Sequence, residues 1–270
     1  MKVLLTNDDG IQAEGLNALR RALLEAPGVE LSVIAPDSNR SATARSITTR
    51  HPLWVEEVHF EDGSTGFATD GTPVDCVRFA TLGLVESEPD LIVSGINHGT
   101  NLGDDITYSG TVAAAFEGLV LGIPAIAVSQ QAIGGEMDFR AGRQYEFEHA
   151  AAFTARLVEE LEHVPMPPDT LLNVNVPWEK PTGARSCRLG KRIYRDRLKL
   201  MDEDGGRRRY WIYGHDASFH EEDGTDFETL GDGAIAVTPV HFDLTDTAGV
   251  EALSGFDLDG LLRPAAQEVE

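Results

Sequence analysis

The chain has 270 residues, 41% hydrophobic and 25% charged, enough for one large α/β domain with or without an appendage. Forty-five acidic residues against 22 basic ones give a net charge of −23, with lysine only at Lys2, Lys180, Lys191 and Lys199. A surface of that sign argues against general nucleic-acid or anionic-membrane binding, which need a basic face, and suits a salt-adapted cytosol.

No apolar run approaches the ~20 residues that cross a bilayer, and the chain opens directly on a strand pattern rather than a leader, so a cytoplasmic location is expected. Val3-Leu4-Leu5 reads as a buried strand ending in Thr6-Asn7-Asp8-Asp9-Gly10. From Glu14 to Ala26, Leu16, Leu19, Leu23 and Ala26 share one helical face, with Gly28 placed to end the helix. Leu31 to Ala35 is a second buried strand closed by Pro36, so the opening is a βαβ unit with a parallel sheet. The polar stretch 37–50 reads as a loop at a strand's C-terminal edge, His51 to Phe67 as a hairpin turning at Asp62-Gly63, and Val74 to Leu84 as a helix.

Asp90 to Ser94 is a further buried strand, followed by GINHGTNLGDDITYSGTVAAAFEGLVLG. Within it Ser109-Gly110-Thr111 opens an alanine-rich helix that stops at Gly122. Ala125 to Ser129 reads as a strand, Gln144 to Glu162 as a long helix and Leu171 to Val176 as a strand. The expected fold is therefore α/β, a Rossmann-like doubly wound and mostly parallel sheet over residues 1–177. From 178 to 253 the pattern predicts β-ribbons, basic at Arg195, Arg197, Lys199 and Arg207 to Arg209, with strands at 210–213 and 233–244. Such an arm is rarely stable alone, so it is expected to pack on another subunit, and the acidic tail 254–270 is expected to fray. Cys76 and Cys187 have neither zinc nor disulfide spacing and read as two buried thiols.

Three strand ends converge at the switch point of such a sheet: Asn7-Asp8-Asp9, Ser38 to Ser41, and Gly95 to Asn101. Two adjacent acids beside a core repel. Taken alone, a helix cap next to a solvated charge and a metal site explain them equally well. Asp8, Asp9, the Ser41 hydroxyl and the Asn97 amide would together form an all-oxygen set, which suits one Mg²⁺ or Mn²⁺ ion with waters completing the shell. Ser109-Gly110-Thr111 is either a plain N-cap or a phosphate-binding helix start, and pairing with a hard-metal site favours the second. His98 is either near a leaving group or simply solvated. GxGxxG and GK[ST] are missing, and adjacent acids do not fit the DxD of haloacid-dehalogenase phosphatases, so water is expected as nucleophile.

TNDDG at 6–10, APDSNRS at 35–41, GTPVDCV at 71–77, SGINHGTNLGDDITYSGTVAAA at 94–115 and TPVHFDLT at 238–245 resemble the SurE family of 5′-nucleotidases. The resemblance implies a Rossmann-like core, a dimer or tetramer with exchanged C-terminal arms, and divalent-metal-dependent hydrolysis of nucleoside 5′-monophosphates. By the same resemblance, 3′-monophosphates and short polyphosphate are further substrates. It carries the metal ligands onto Asp8, Asp9, Ser41 and Asn97, phosphate contacts onto Asn101, Ser109, Gly110 and Thr111, and assistance of the attacking water onto Asp8. Many relatives have Gly where this chain has Ala42, and proline is common where it has Glu14. From a different class, a metal-dependent nucleotide-binding or sensing protein without turnover is the alternative.

Overall fold

The computed structural model describes residues 1–137, 142–195, 197–212 and 218–262. In chain order its elements are β1 (Lys2–Thr6), α1 (Glu14–Glu25), β2 (Glu30–Pro36), β3 (Val55–His59), β4 (Thr65–Thr69), α2 (Pro73–Phe79), β5 (Leu91–His98), α3 (Gly110–Val120), β6 (Ala125–Gln130) and α4 (Glu148–Glu159). They continue with β7 (Thr170–Val176), β8 (Ala184–Ser186), β9 (Arg192–Ile193), β10 (Lys199–Asp204), β11 (Arg207–Trp211), β12 (Ser218–Phe219), α5 (Asp226–Gly231), β13 (Ile235–His241) and α6 (Thr247–Ser254). No helix among the described residues is long and apolar enough to cross a membrane.

Nine strands form one sheet in the order β3-β4-β2-β1-β5-β6-β7-β13-β8, parallel except where β3 meets β4 and β13 meets β7. Alternate side chains of β1 explain the layering. Val3 and Leu5 join Leu16, Leu19 and Leu23 of α1 and Ala151 and Val158 of α4 on one face. Leu4 faces the other way, into Val77 of α2 and Val112, Ala114 and Ala115 of α3. The sheet is thus doubly wound, as expected. The chain winds outward from β1 to β2 and β4, then crosses back to β5, so the gap between β1 and β5 is the switch point.

The edge hairpin β3–β4 is tied to α1 by Arg20, whose guanidinium is buried, donates to Asp62 at 2.6 Å and lies over the Phe60 ring. The Ser64 hydroxyl and amide together with Arg20 hold the Asp62 carboxyl down at about 2. The expected helix 74–84 is α2 continued by a wider turn, Ala80–Leu84, which breaks at Gly83 (φ +98°). Thr72 and Asp75 form a reciprocal capping box at its start. The expected long helix is shorter. Residues 144–147 stay outside it because Tyr145 and Phe147 turn their rings onto His98, and α4 begins only at Glu148.

After residue 177 the pattern differs more. The final strand β13 inserts in the main sheet beside β7, and β8 runs parallel to it. Among the described residues the ribbon consists of the short antiparallel pair β9–β12 and the hairpin β10–β11, and every side chain of the latter two strands is exposed. Its arginines form no basic patch: Arg207, Arg208 and Arg209 stand opposite Asp204, Glu203 and Asp202 across the ladder. Tyr213 of the expected strand 210–213 lies outside the described residues, as does 263–270 of the tail. α6 ends at the first residue of the expected tail, Ser254, and the described remainder holds one short turn, Asp259–Leu262. Both cysteines are free and buried.

Asp226 opens α5 and ties this region to the core. Its fully buried carboxylate accepts from the amides of Gly103 (2.7 Å), Gly190 (2.8 Å) and Phe227 (3.0 Å). Gly103 must be glycine, since a Cβ would stand 2.7 Å from the Gly190 carbonyl. Asp226→Ala strands three buried donors at roughly 1–3 kcal/mol each. It is expected to lower the midpoint of thermal unfolding by at least about 6–12 °C, with Asp226→Asn losing less. Calorimetry of the three proteins checks it.

Candidate active site

The three strand ends meet as the topology requires. Asn7 closes a ring on Gly10, its amide donating to the Gly10 carbonyl (3.0 Å) and accepting the Gly10 N–H (3.1 Å). Gly10 has φ +105°, a conformation that costs a side chain dearly. The ring turns β1 sharply enough to leave Asp8 buried and Asp9 half-buried above the sheet edge. The Arg40 amide donates to the Asp8 carbonyl (2.6 Å), which joins the loop after β2 to the end of β1. Asp9 is held from both sides: Asn39 donates to Oδ1 (3.0 Å) and the His98 backbone N–H to Oδ2 (2.9 Å).

Asp8 meets the start of α3. The buried Thr111 hydroxyl donates to Asp8 Oδ1, and the Thr111 amide also supports this carboxylate. Gly110 lies so close that a Cβ there would stand 2.7 Å from the Asp8 Cβ. Asp8 thus supports the start of a helix, but of α3 rather than of α1, which follows it in the chain and has Ala13 at its N-cap with no side-chain cap. Ser109 is the N-cap of α3, accepting the Val112 amide at 3.1 Å. The plain reading of Ser109 as an N-cap is thus what this geometry shows. Burial first, then the charge of Asp9, pushes the Asp8 carboxyl up to about 6. Burial also raises Asp9. No lysine or arginine among the described residues contributes to either shift.

The other expected residues are placed as follows. Asn97 reaches this edge through a break in the β5–β6 register, and its amide nitrogen donates to the Gly99 carbonyl (2.8 Å), which leaves Oδ1 as its acceptor. Gly95 is required at that break, since a Cβ would lie 2.4 Å from the Val128 carbonyl. Ser41 is exposed, and its amide donates to Asn39 Oδ1 (2.9 Å), so the residue that grips Asp9 also sets the Ser41 backbone. Ala42 and Ala44 on either side of Thr43 have φ of 60° and 50°, at a cost of about 1 kcal/mol each. Asn101 is buried in an amide network. Its side chain donates to the Ser129 hydroxyl (2.8 Å), its N–H to Asn175 Oδ1 (2.8 Å), and its carbonyl accepts from Asn173 and Asn175 (2.9 Å each). His98 is partly buried rather than a solvated loop histidine. Its Nε2 accepts the Gly15 amide (3.2 Å) at the start of α1, its ring packs on Phe147 and Tyr145, and burial keeps it neutral by lowering its pKa.

Several supporting residues escape a reading of motifs. Asn173 and Asn175 carry a signal, two amides at i and i+2 on a strand that is otherwise apolar and wholly buried. Glu117 carries none. It sits 2% exposed on α3, paired with Arg78 of α2 and with Arg45 (2.6 Å) from the Ser41 loop. That loop and the helix whose start meets Asp8 are thereby pinned to one buried charge.

The match to known proteins follows this geometry. The model of the family described as survival protein SurE matches residues 3–196. The chain is 51% identical over 267 residues to a 5′-nucleotidase SurE of Rubrobacter xylanophilus, covering 97% of this chain and 99% of that one. It is 45% identical over 258 residues to a 5′-nucleotidase SurE of Pelotomaculum thermopropionicum, covering 94% of each. Its structure is similar to the crystal structure of the SurE protein from Aquifex aeolicus, with a TM-score of 0.77 and 38% identity over 94% of this chain and 99% of that one.

The raised Asp8 pKa has a sign that can be tested. The folded chain binds this proton more tightly than the unfolded chain, so the ionised carboxyl costs stability at pH 7 and costs less as pH falls through about 6 towards 4. In metal-free buffer Asp8→Asn is expected to exceed the parent's unfolding free energy by about 2–3 kcal/mol at pH 7. That advantage should vanish near pH 4. Urea unfolding at both pH values measures it.

Proposed function

The chain belongs to the SurE family, and on that premise we propose a divalent-metal-dependent phosphomonoesterase acting on nucleoside 5′-monophosphates. That it is a 5′-nucleotidase follows from relatives of that name matching it over nearly their whole length. The metal, the substrate range and the mechanism are our reading. One observation carries it: two neighbouring carboxylates are destabilised by burial and unrelieved by any described lysine or arginine, and one of them, Asp8, lies against the start of α3.

The donor chemistry fits a hard cation. Asp8 and Asp9 supply anionic oxygens, Ser41 stands on the loop joined to Asp9 through Asn39, and Asn97 stands at the end of β5, whose His98 amide also holds Asp9. Among the described residues no three His, Cys, Asp or Glu side chains gather as a metal-ligating group, so the neutral oxygens are needed to complete the set. A bound Mg²⁺ or Mn²⁺ would polarise the phosphate and lower the pKa of water at the site.

The chain's own groups do the rest. The start of α3 presents its positive end beside Asp8, and because the Thr111 and Val112 amides are taken by Asp8 and Ser109, a phosphate there gains from the helix dipole and the Gly110 amide. Thr111 occupies Asp8 Oδ1 and so fixes the carboxylate, leaving Oδ2 to take a proton from the attacking water. Water adds to phosphorus opposite the ester oxygen while Asp8 takes its proton and passes it to solvent, the P–O bond to the sugar breaks, and the leaving alkoxide takes a proton from solvent, giving the nucleoside as its alcohol and inorganic phosphate. The buried amide network fixes Asn101 at the rim of the same edge, where we assign it a phosphate contact.

We also assign 3′-monophosphates and short polyphosphate as secondary substrates, a cytoplasmic and salt-rich setting on the acidic, lysine-poor composition, and a homodimer or homotetramer. The last rests on the exposed hairpin β10–β11, with Leu200, Met201, Tyr210 and Trp211 on its surface. Asp9→Asn should cut Mg²⁺- or Mn²⁺-dependent phosphate release from AMP by more than the roughly 10–100-fold that loss of an outer-sphere partner costs. Unchanged release would sink the metal reading, and AMP binding without release in the parent under every metal and salt condition would point to a sensor. Since Asp8 must be ionised to hold a cation, the metal concentration needed for half-activation should rise about tenfold per unit below pH 6. Titrations with Mn²⁺ at pH 5, 6 and 7 report it.

A further inference from the structure

Beside the candidate site, between the start of α1 and residues 145–148, lies a cavity of about 370 Å³ that the hydrolytic step does not use. Its volume falls in the range of small-molecule sites. One wall is aromatic. Tyr145 and Phe147 stack with ring centroids 5.9 Å apart and planes 22° from parallel, and His98 packs on both, at 5.3 and 4.9 Å. This ring layer adjoins the metal-ligand candidates directly. A Cβ built on Gly99 would lie 3.7 Å from the Tyr145 hydroxyl and 4.0 Å from the Asn97 amide nitrogen, so only a glycine separates them. The backbone N–H of His98, whose ring belongs to the layer, donates to Asp9.

The lining is also acidic. Glu14, Glu146 and Glu148 line the cavity against one cation, Arg21. A phosphate is repelled there; a flat, neutral ring with outward N–H groups is not. The phosphate end of a nucleotide belongs at α3, and the base lies one sugar away from it.

We propose that this cavity is the nucleobase subsite, with Tyr145 as the stacking surface and Glu14 as an acceptor that favours bases bearing an exocyclic amino group. The proposal rests on the hydrolytic reading above and names the part of the substrate that reading leaves unassigned. Stacking of a base on an aromatic side chain is worth about 1–3 kcal/mol, which sets the size of the effect.

The test compares probes with and without a base. Tyr145→Ala should raise the KM for AMP about tenfold or more while leaving kcat and the inhibition constant of inorganic phosphate unchanged. Tyr145→Phe keeps the ring and should behave like the parent, which guards against a folding artefact. Glu14→Gln should shrink the preference for AMP over IMP, which differ by an amino group against a carbonyl. The proposal is overturned if Tyr145→Ala shifts phosphate inhibition as much as the KM for AMP, or moves neither. If the parent releases no phosphate from AMP, the hydrolytic reading fails instead. Dissociation constants of AMP and of phosphate in the same variants then decide the subsite by the same contrast.

Discussion

Two carboxylates on consecutive residues, lifted out of water at the end of a buried strand, are costly to maintain, and much of the architecture around them reduces that cost. Asp8 leans on the start of α3, where the Thr111 hydroxyl and the helix dipole favour negative charge. Asp9 takes an amide from each neighbouring loop. These contacts lower the penalty without cancelling it, because both carboxyls remain harder to ionise than free ones. That residual penalty is what a bound cation would relieve.

The same logic explains the anchoring further out. The loop after β2 has to come back over the sheet edge, and it does so with two alanines in left-handed conformation, a strained path for residues with a Cβ. Arg45 holds the far side of that loop to Glu117, and Arg78 shares the charge from α2. On the other side of the switch point, Asn173 and Asn175 reach across from β7 to fix Asn101, and Asp226 binds the Gly103 turn to the C-terminal region. Backbone that carries the candidate ligands is thus restrained by buried polar bonds, each of which needs its partner.

Much of this was legible in the sequence because it is local. Strands such as Leu91 to Ser94 are short apolar runs with turn residues after them, and parallel winding then forces their ends together. That logic brings Asp8, Asp9 and Asn97 to one edge. Ser41 is placed by the same reasoning, but on an exposed loop. What stayed hidden depends on pairs far apart in the chain. The bond from the Thr111 hydroxyl to Asp8 spans about a hundred residues and leaves no local trace, and His98 reads as a loop histidine until the start of α1 arrives at its Nε2. The start of α4 was misplaced because Tyr145 and Phe147 keep helical spacing while their rings serve a layer outside the helix. Short elements such as α5 are set by one cap, Thr225, and by the buried Asp226, which no periodicity reveals.

The hairpin β10–β11 has a colloidal consequence. A chain with net charge −23 repels its own copies, most strongly where salt is dilute. Across this ladder, however, Arg207 to Arg209 face Asp204, Glu203 and Asp202, so the hairpin is close to a zwitterion carrying apolar side chains. Another acidic molecule can approach it at little electrostatic cost, and that cost changes little with ionic strength. The rest of the surface keeps copies apart in a salt-dependent way, whereas this ribbon offers a landing strip whose hospitality does not depend on salt.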